Sequence, residues 1–198
     1  MRIASIVLAA GCSSRMGPRN KLLESIGGEP MVRRVAAVAN GSGAKPVIVV
    51  TGYEAAEVGA ALHGLGVTVI LNLEYADGLS TSLRAGVNAL PTGIDGALIL
   101  LGDMPEVEDS VLRALMAAFT GGSTICVPEC HGRKGNPVLW GSRYFPEMME
   151  LTGDAGAKPL MARHQAQLIE IEVATDSIFR DVDAPDDLAR IRQAGTAG

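Results

Sequence analysis

Ile3-Ala4-Ser5-Ile6-Val7-Leu8, followed by Ala9-Ala10-Gly11-Cys12-Ser13-Ser14-Arg15-Met16-Gly17 and then Asn20-Lys21-Leu22-Leu23, opens the chain and decides its architecture. A mainly apolar run of this length, without regular alternation, predicts a strand buried on both faces, as in a parallel sheet. The small residues and Gly that follow put a loop at the strand's carboxyl edge, where open α/β sheets bind ligands. Small side chains leave backbone N–H groups free to reach phosphate oxygens. Arg15 and Lys21 add positive charge, Lys21 as a point charge suited to a polyphosphate. Leu8, Ala9, Ala10, Gly11, Ser13 and Ser14 are therefore expected to cradle a nucleoside triphosphate.

Further apolar, β-branched runs at Pro46 to Thr51, Val67 to Leu71, Ala97 to Leu101 and Thr124 to Val127 alternate with segments of helical spacing, the pattern of a parallel α/β sheet. Helices are expected from Pro30 towards Gly41, and at Glu54 to Leu62, Ser80 to Ala89, Asp109 to Phe119, Ser142 to Leu151 and Ala184 to Gln193. Pro30 fits a first helical position, and Asp109 and Ser142 fit N-caps. Asn136 to Trp140 reads as a short strand. Leu168 to Val173, with alternating Ile and Glu, reads as an edge strand.

With 198 residues and 47% hydrophobic side chains, the chain fills one core. We expect one domain over 1–198, with a nucleotide-binding half at about 1–105, an acceptor half at about 106–193 and a disordered tail at 194–198. A net charge of −5 argues against a general nucleic-acid or anionic-membrane surface. No run approaches the roughly 20 apolar residues that cross a bilayer, and no leader pattern stands at the amino terminus. A cytoplasmic location is expected. Cys12, Cys126 and Cys130 form no disulfide framework, and Cys126, Cys130 and His131 offer too few ligands to predict a zinc site.

Leu100-Leu101-Gly102-Asp103-Met104-Pro105 delivers a carboxylate directly after a strand, at the ligand edge of the sheet. Beside a phosphate loop it reads as a ligand for Mg²⁺, which is commonly held by one or two carboxylates plus phosphates and water. In Asp181-Val182-Asp183-Ala184-Pro185-Asp186-Asp187, Asp183 is the second expected metal ligand, whereas Asp186 and Asp187 fit a helix's first turn. Gly78, Ser80 and Ser82 mark a helix start, with Ser80 as its N-cap and both serines as candidate contacts to base or ribose. The Gly-rich, charged loops around Asn136-Pro137 and Asp154 to Lys158 are candidates for a second, anionic substrate.

These motifs, in this order and spacing, resemble the MobA-like nucleotidyltransferases, and among them the molybdenum cofactor cytidylyltransferases, over nearly the whole chain. The resemblance rests on Leu8 to Gly17 with Lys21, on Gly102 to Pro105, on Asp181 to Pro185, and on Gly78 to Gly86, Gly135 to Val138 and Gly153 to Ala157. It implies a three-layer, Rossmann-like fold of the GT-A-like nucleotidyltransferase type. It also implies Mg²⁺-dependent transfer of CMP from CTP to the phosphate of molybdopterin, with pyrophosphate released. Lys21, Arg15 and Asp103 would be catalytic, Asp103 and Asp183 metal-binding, and Asn136, Pro137, Asp154 and Lys158 acceptor-binding. A transient contact with an apo-molybdoenzyme would follow. Guanylyl-transferring relatives usually carry two glycines in the loop and Asp before the Lys. Ala10-Gly11 and Asn20-Lys21 instead match the CTP pattern. Lys158 stands where relatives often carry Arg. The alternatives are guanylyl transfer, transfer to a sugar or alditol phosphate, and a non-catalytic cofactor chaperone. A dinucleotide-binding site wants Gly-x-Gly-x-x-Gly after the first strand, and Gly11 to Gly17 does not supply it.

Overall fold

A computed structural model describes residues 1–12 and 20–194 of the chain. Ser13, Ser14, Arg15 and the tail residues 195–198 lie outside the described residues. The elements run, in order, β1 (Ile3–Ala9), β2 (Ser25–Ile26), β3 (Glu29–Pro30), α1 (Met31–Gly41), β4 (Val47–Thr51), α2 (Ala55–Ala61), β5 (Thr68–Leu71), α3 (Leu79–Asn88) and β6 (Gly96–Leu101). They continue with α4 (Asp109–Ala118), β7 (Ile125–Cys130), β8 (Arg133–Lys134), β9 (Val138–Gly141), α5 (Phe145–Met149), α6 (Lys158–Arg163), β10 (Leu168–Glu172) and α7 (Pro185–Ala194).

The main sheet has the order β10-β7-β9-β6-β1-β4-β5, with β8 paired to β7. The β6-β1-β4-β5 block is parallel, and β9 runs antiparallel to both β6 and β7. The two central strands are apolar on both sides, as their sequences require. Val7 and Ala9 of β1 face a layer containing Val35, Val58 and Leu112 of α1, α2 and α4. Ile6 and Leu8 face Leu83, Met148 and Leu160 of α3, α5 and α6. This is a three-layer, mostly parallel α/β fold. The chain leaves β1 towards β4 on one side and returns to β6 on the other, so a topological switch point lies at the carboxyl ends of β1 and β6, where such sheets bind ligands.

Several local expectations are corrected. Ser80 is not an N-cap: Gly78 takes that position, and the Ser80 hydroxyl is buried and finds no hydrogen-bond partner among the described residues. Asp109 is the first residue of α4 rather than its cap, and pairs with Arg113 one turn on. Ser142 begins a short 3₁₀ turn ahead of α5, and Pro30 precedes α1 instead of starting it. Lys158, read as loop, is the first residue of α6. Ala194, read as tail, ends α7. Cys126 and Cys130 are free thiols buried in the core, where burial pushes the Cys126 thiol up to about 11. Among the described residues no cluster of three or more His, Cys, Asp or Glu is placed to hold a metal ion, and no helix is long and apolar enough to cross a membrane.

Candidate active site

Gly102 brings the ends of β1 and β6 into contact. Its N–H donates to the Leu8 carbonyl (2.9 Å), and a Cβ on it would stand 3.0 Å from that oxygen and 3.2 Å from Ala9 Cβ. A side chain there would crowd the two strand ends directly beside Asp103. The Asp103 carbonyl in turn accepts the Val182 N–H (2.9 Å), which lays the Asp181–Asp183 segment across the same edge. Val182 is fully buried against Ile26, Met31, Leu188 and Ile191, and this apolar anchor fixes the acids on either side of it. Asp187 fixes the far end: its Oδ2 accepts the N–H groups of Asp183 (3.2 Å) and Ala184 (3.0 Å), as an acid at the third helical position does in a capping box. The structural reading of Asp187 therefore holds.

Lys21 meets the two carboxylates from the other side. Its Nζ lies 2.8 Å from Asp103 Oδ2 and 2.9 Å from Asp183 Oδ1, with only 12% of the lysine side chain exposed. Burial pulls the ammonium's pKa down, but the attraction of Asp103 and the hydrogen bonds and charge of both acids outweigh it, so the group stays above the usual lysine value. Asp103 Oδ1 is buried and finds no hydrogen-bond donor among the described residues. A carboxylate oxygen left bare in this way, with a second carboxylate on the same ammonium, is a hard-oxygen donor set that fits Mg²⁺ or Mn²⁺ completed by phosphate and water. Asp181 stands next to this group. Burial and the neighbouring charges of Asp183 and Asp103 raise its pKa, against its own backbone hydrogen bond and Lys21.

Two adjoining cavities open here. The first, about 340 Å³, is bounded by Leu8 to Cys12, by Lys21 and Asp103, and by Tyr75, Gly78 and Ser82. The second, about 430 Å³, has an apolar floor that includes Ile99, Trp140, Met161 and Phe179, a cationic rim of Arg133, Lys134 and Lys158, and Asp181 and Asn136 in its wall. Leu8, Leu79, Leu101 and Asp154 border both. Both volumes suit small-molecule ligands. Of the residues expected from sequence, Leu8 to Gly11, Lys21, Asp103, Gly78, Ser82, Asn136, Asp154 and Lys158 line these spaces, whereas Ser80 and Pro137 do not. Arg133 lies 4.5 Å from the centre of the Phe179 ring, a cation–π contact at the rim.

Asn20 is buried behind the first cavity rather than lining it. Its Oδ1 accepts the Leu22 N–H (3.1 Å) and its Nδ2 reaches the Tyr53 carbonyl (3.4 Å), while the Tyr53 N–H donates to the Ala10 carbonyl (3.1 Å). Asn20 thus acts on the loop through Tyr53. Asn72 went unnoticed in the sequence, since a lone Asn after a strand carries no pattern. It is buried, its Oδ1 accepts the Glu74 N–H (3.0 Å), and its amide hydrogens go to Thr81 Oγ1 (2.8 Å) and Ser82 Oγ (3.0 Å). Ser82, held in this way, borders the first cavity.

A sheet whose switch point carries a small-residue loop, a lysine and paired carboxylates defines a nucleotide-binding α/β protein. Comparison with known proteins names the family: residues 5–168 match the MobA-like NTP transferase domain, and the chain belongs to that family. It is 27% identical over 195 residues to the molybdenum cofactor cytidylyltransferase of Escherichia coli, covering 98% of this chain and 97% of that protein. It is 32% identical over 203 residues to the purine catabolism protein PucB of Bacillus subtilis, covering 97% of each. A bifunctional protein GlmU, from Rhizobium leguminosarum, is 32% identical over 130 residues, which cover 64% of this chain and 28% of the relative, so the chain spans little more than a quarter of such GlmU relatives. Among solved structures, Rv0371c of Mycobacterium tuberculosis in complex with manganese superposes with a TM-score of 0.82 at 26% identity over 98% of each chain.

Proposed function

We propose that the protein transfers CMP from CTP to the terminal phosphate of molybdopterin, releasing pyrophosphate, with Mg²⁺ held by Asp103 and Asp183. The observation that carries this reading is the pair of cavities with a shared wall, one bounded by the small-residue loop and Lys21, the other apolar with cations at its rim. An attacking phosphate is already ionised near neutral pH, so no strong general base is required. The barrier lies in bringing anions together, and Lys21 with the loop amides answers it by neutralising and orienting the triphosphate. A bound divalent ion supplies Lewis-acid polarisation of the phosphates. The phosphate oxygen attacks the α-phosphorus in line, and the bond to pyrophosphate breaks. Arg133, Lys134 and Lys158 receive the acceptor's charge, and the apolar floor suits a flat heterocycle better than a sugar, whose hydroxyls it would leave unpaired.

Cytosine is favoured over guanine because Ala10 occupies the cavity wall where a second Gly would leave room, and Ser82 in the same wall is placed to hydrogen-bond the base. Asn72→Ala frees that serine hydroxyl to turn away. Asn72→Ala and Ser82→Ala are each expected to raise the KM for CTP by about five- to tenfold, and the double variant no more than the larger single effect, as steady-state kinetics in a double-mutant cycle would read.

The assignment is tested by supplying CTP, GTP, ATP or UTP with Mg²⁺ and molybdopterin and following pyrophosphate. CTP is expected to be used best, and sugar phosphates not at all. Faster release with GTP would reverse the base assignment, and release with a sugar 1-phosphate but not molybdopterin would replace the acceptor. Binding of both ligands without pyrophosphate would leave a carrier in place of an enzyme.

A further inference from the structure

We infer that Asp154 is a positioning residue that couples the two cavities by clasping the start of α3 to the loop leading into α6. The inference rests on the two-substrate reading above. The Leu79 N–H donates to Asp154 Oδ1 (3.0 Å) and the Ser80 N–H to the Gly153 carbonyl (3.1 Å), so two of the helix's orphan donors are consumed by a loop some seventy residues away in sequence. The negative charge also complements the helix terminus. Gly78, at φ +110°, lies so close to this loop that a Cβ on it would stand 2.7 Å from Gly153 C and O and 2.8 Å from Asp154 Oδ1. Farther along the helix, Arg84 Nη1 donates to the Leu151 carbonyl (2.8 Å). The same helix start, through Gly78, Leu79 and Ser82, walls the first cavity, Asp154 to Lys158 wall the second, and the two joined residues, Leu79 and Asp154, border both. A movement of either wall is therefore carried to the other: a loop drawn in by the acceptor carries the helix start with it, and a nucleotide that settles the helix start settles the loop. Asp154 acts through Leu79, with one of its oxygens already committed there.

Hydrogen exchange of the full chain with CTP and Mg²⁺ tests the coupling. In the unaltered protein the nucleotide is expected to slow exchange both at 79–82 and at 155–161. Asp154→Ala is expected to speed exchange of the free protein at Leu79 on the order of tenfold, to keep nucleotide protection at 79–82 and to weaken it severalfold at 155–161. Asp154→Asn, whose amide oxygen accepts the same bond, is expected to restore both. Should Asp154→Ala fail to fold, Arg84→Gln, which cuts only the parallel link to Leu151, is expected to weaken transmission to 155–161 in the same sense. Transmission in Asp154→Ala equal to that of the unaltered protein overturns the inference, as does an Asp154→Asn that behaves like the alanine variant. Protection confined to 79–82 in the unaltered protein overturns the coupling alone. Absence of protection by CTP, GTP, ATP and UTP alike overturns the nucleotide reading and the coupling with it.

Discussion

Asp103→Asn is expected to cut nucleotidyl transfer by about 10²- to 10³-fold while leaving the fold in place. The substitution is isosteric, and the contact that positions Asp181 to Asp183 runs to the backbone carbonyl of residue 103, which the change does not touch. What is lost is the carboxylate charge, shared between Oδ2 on the Lys21 ammonium (2.8 Å) and Oδ1, which is buried and finds no donor among the described residues. On the proposed reading Oδ1 faces the metal ion, so the loss is expected to fall on metal affinity and turnover together. Pyrophosphate release and Mn²⁺ binding by electron paramagnetic resonance, measured on the same preparation, read both. Near-normal turnover would remove Asp103 from the metal site. The same change at Asp183, whose side chain is 46% exposed against 23% for Asp103, is expected to cost less, because water substitutes more readily for a wetter ligand.

The strands that build this site were legible because their apolar runs are read one strand at a time. β1, β4 and β6 are close to continuous hydrophobic stretches, and Asp103 follows directly from the end of one of them. The edge strand was legible for the opposite reason: in β10 the alternation of Ile and Glu survives because only part of the strand is covered. Elements whose signal is too short were missed. α6 has six residues, begins Lys158-Pro159 and buries only Leu160, so no helical period repeats in it. β2, β3 and β8 have two residues each and exist through their partners. Helix starts were misplaced by a residue or two, most plainly at Ser80, where a distant loop supplies the acceptors that a local hydroxyl was expected to supply.

Within the site, the residue types could be read and their partners could not. Asp181 and Asp183 share a motif, but only the burial of Val182 and the reach of Lys21 distinguish the acid on the ammonium from the acid in the second cavity. Asn20 stood out beside Lys21 as a marker of nucleotide choice. Its contact with the loop runs through Tyr53, and this chain of hydrogen bonds joins residues over thirty positions apart.

Lys21→Ala is expected to separate two roles that Asp103→Asn removes together. One ammonium sits within hydrogen-bond distance of both Asp103 and Asp183, the two carboxylates that would also attract a divalent ion. Without it two carboxylates face each other with less compensation. Breaking a mostly buried pair costs several kcal/mol, but the partial exposure of Asp183 reduces this, and we expect a loss of about 1–3 kcal/mol in stability without metal. Mn²⁺ should restore more of that loss in Lys21→Ala than it adds to the unaltered protein, because the ion binds without displacing a resident cation; thermal unfolding with and without Mn²⁺ reads the difference. Turnover should nevertheless fall by about 10²- to 10³-fold and stay low at saturating metal, since an ion on the carboxylates does not replace a cation on the triphosphate. Rescue of turnover by metal would mean that the ammonium serves only to hold the two acids apart from each other's charge, and the assignment of Lys21 to the triphosphate would fall.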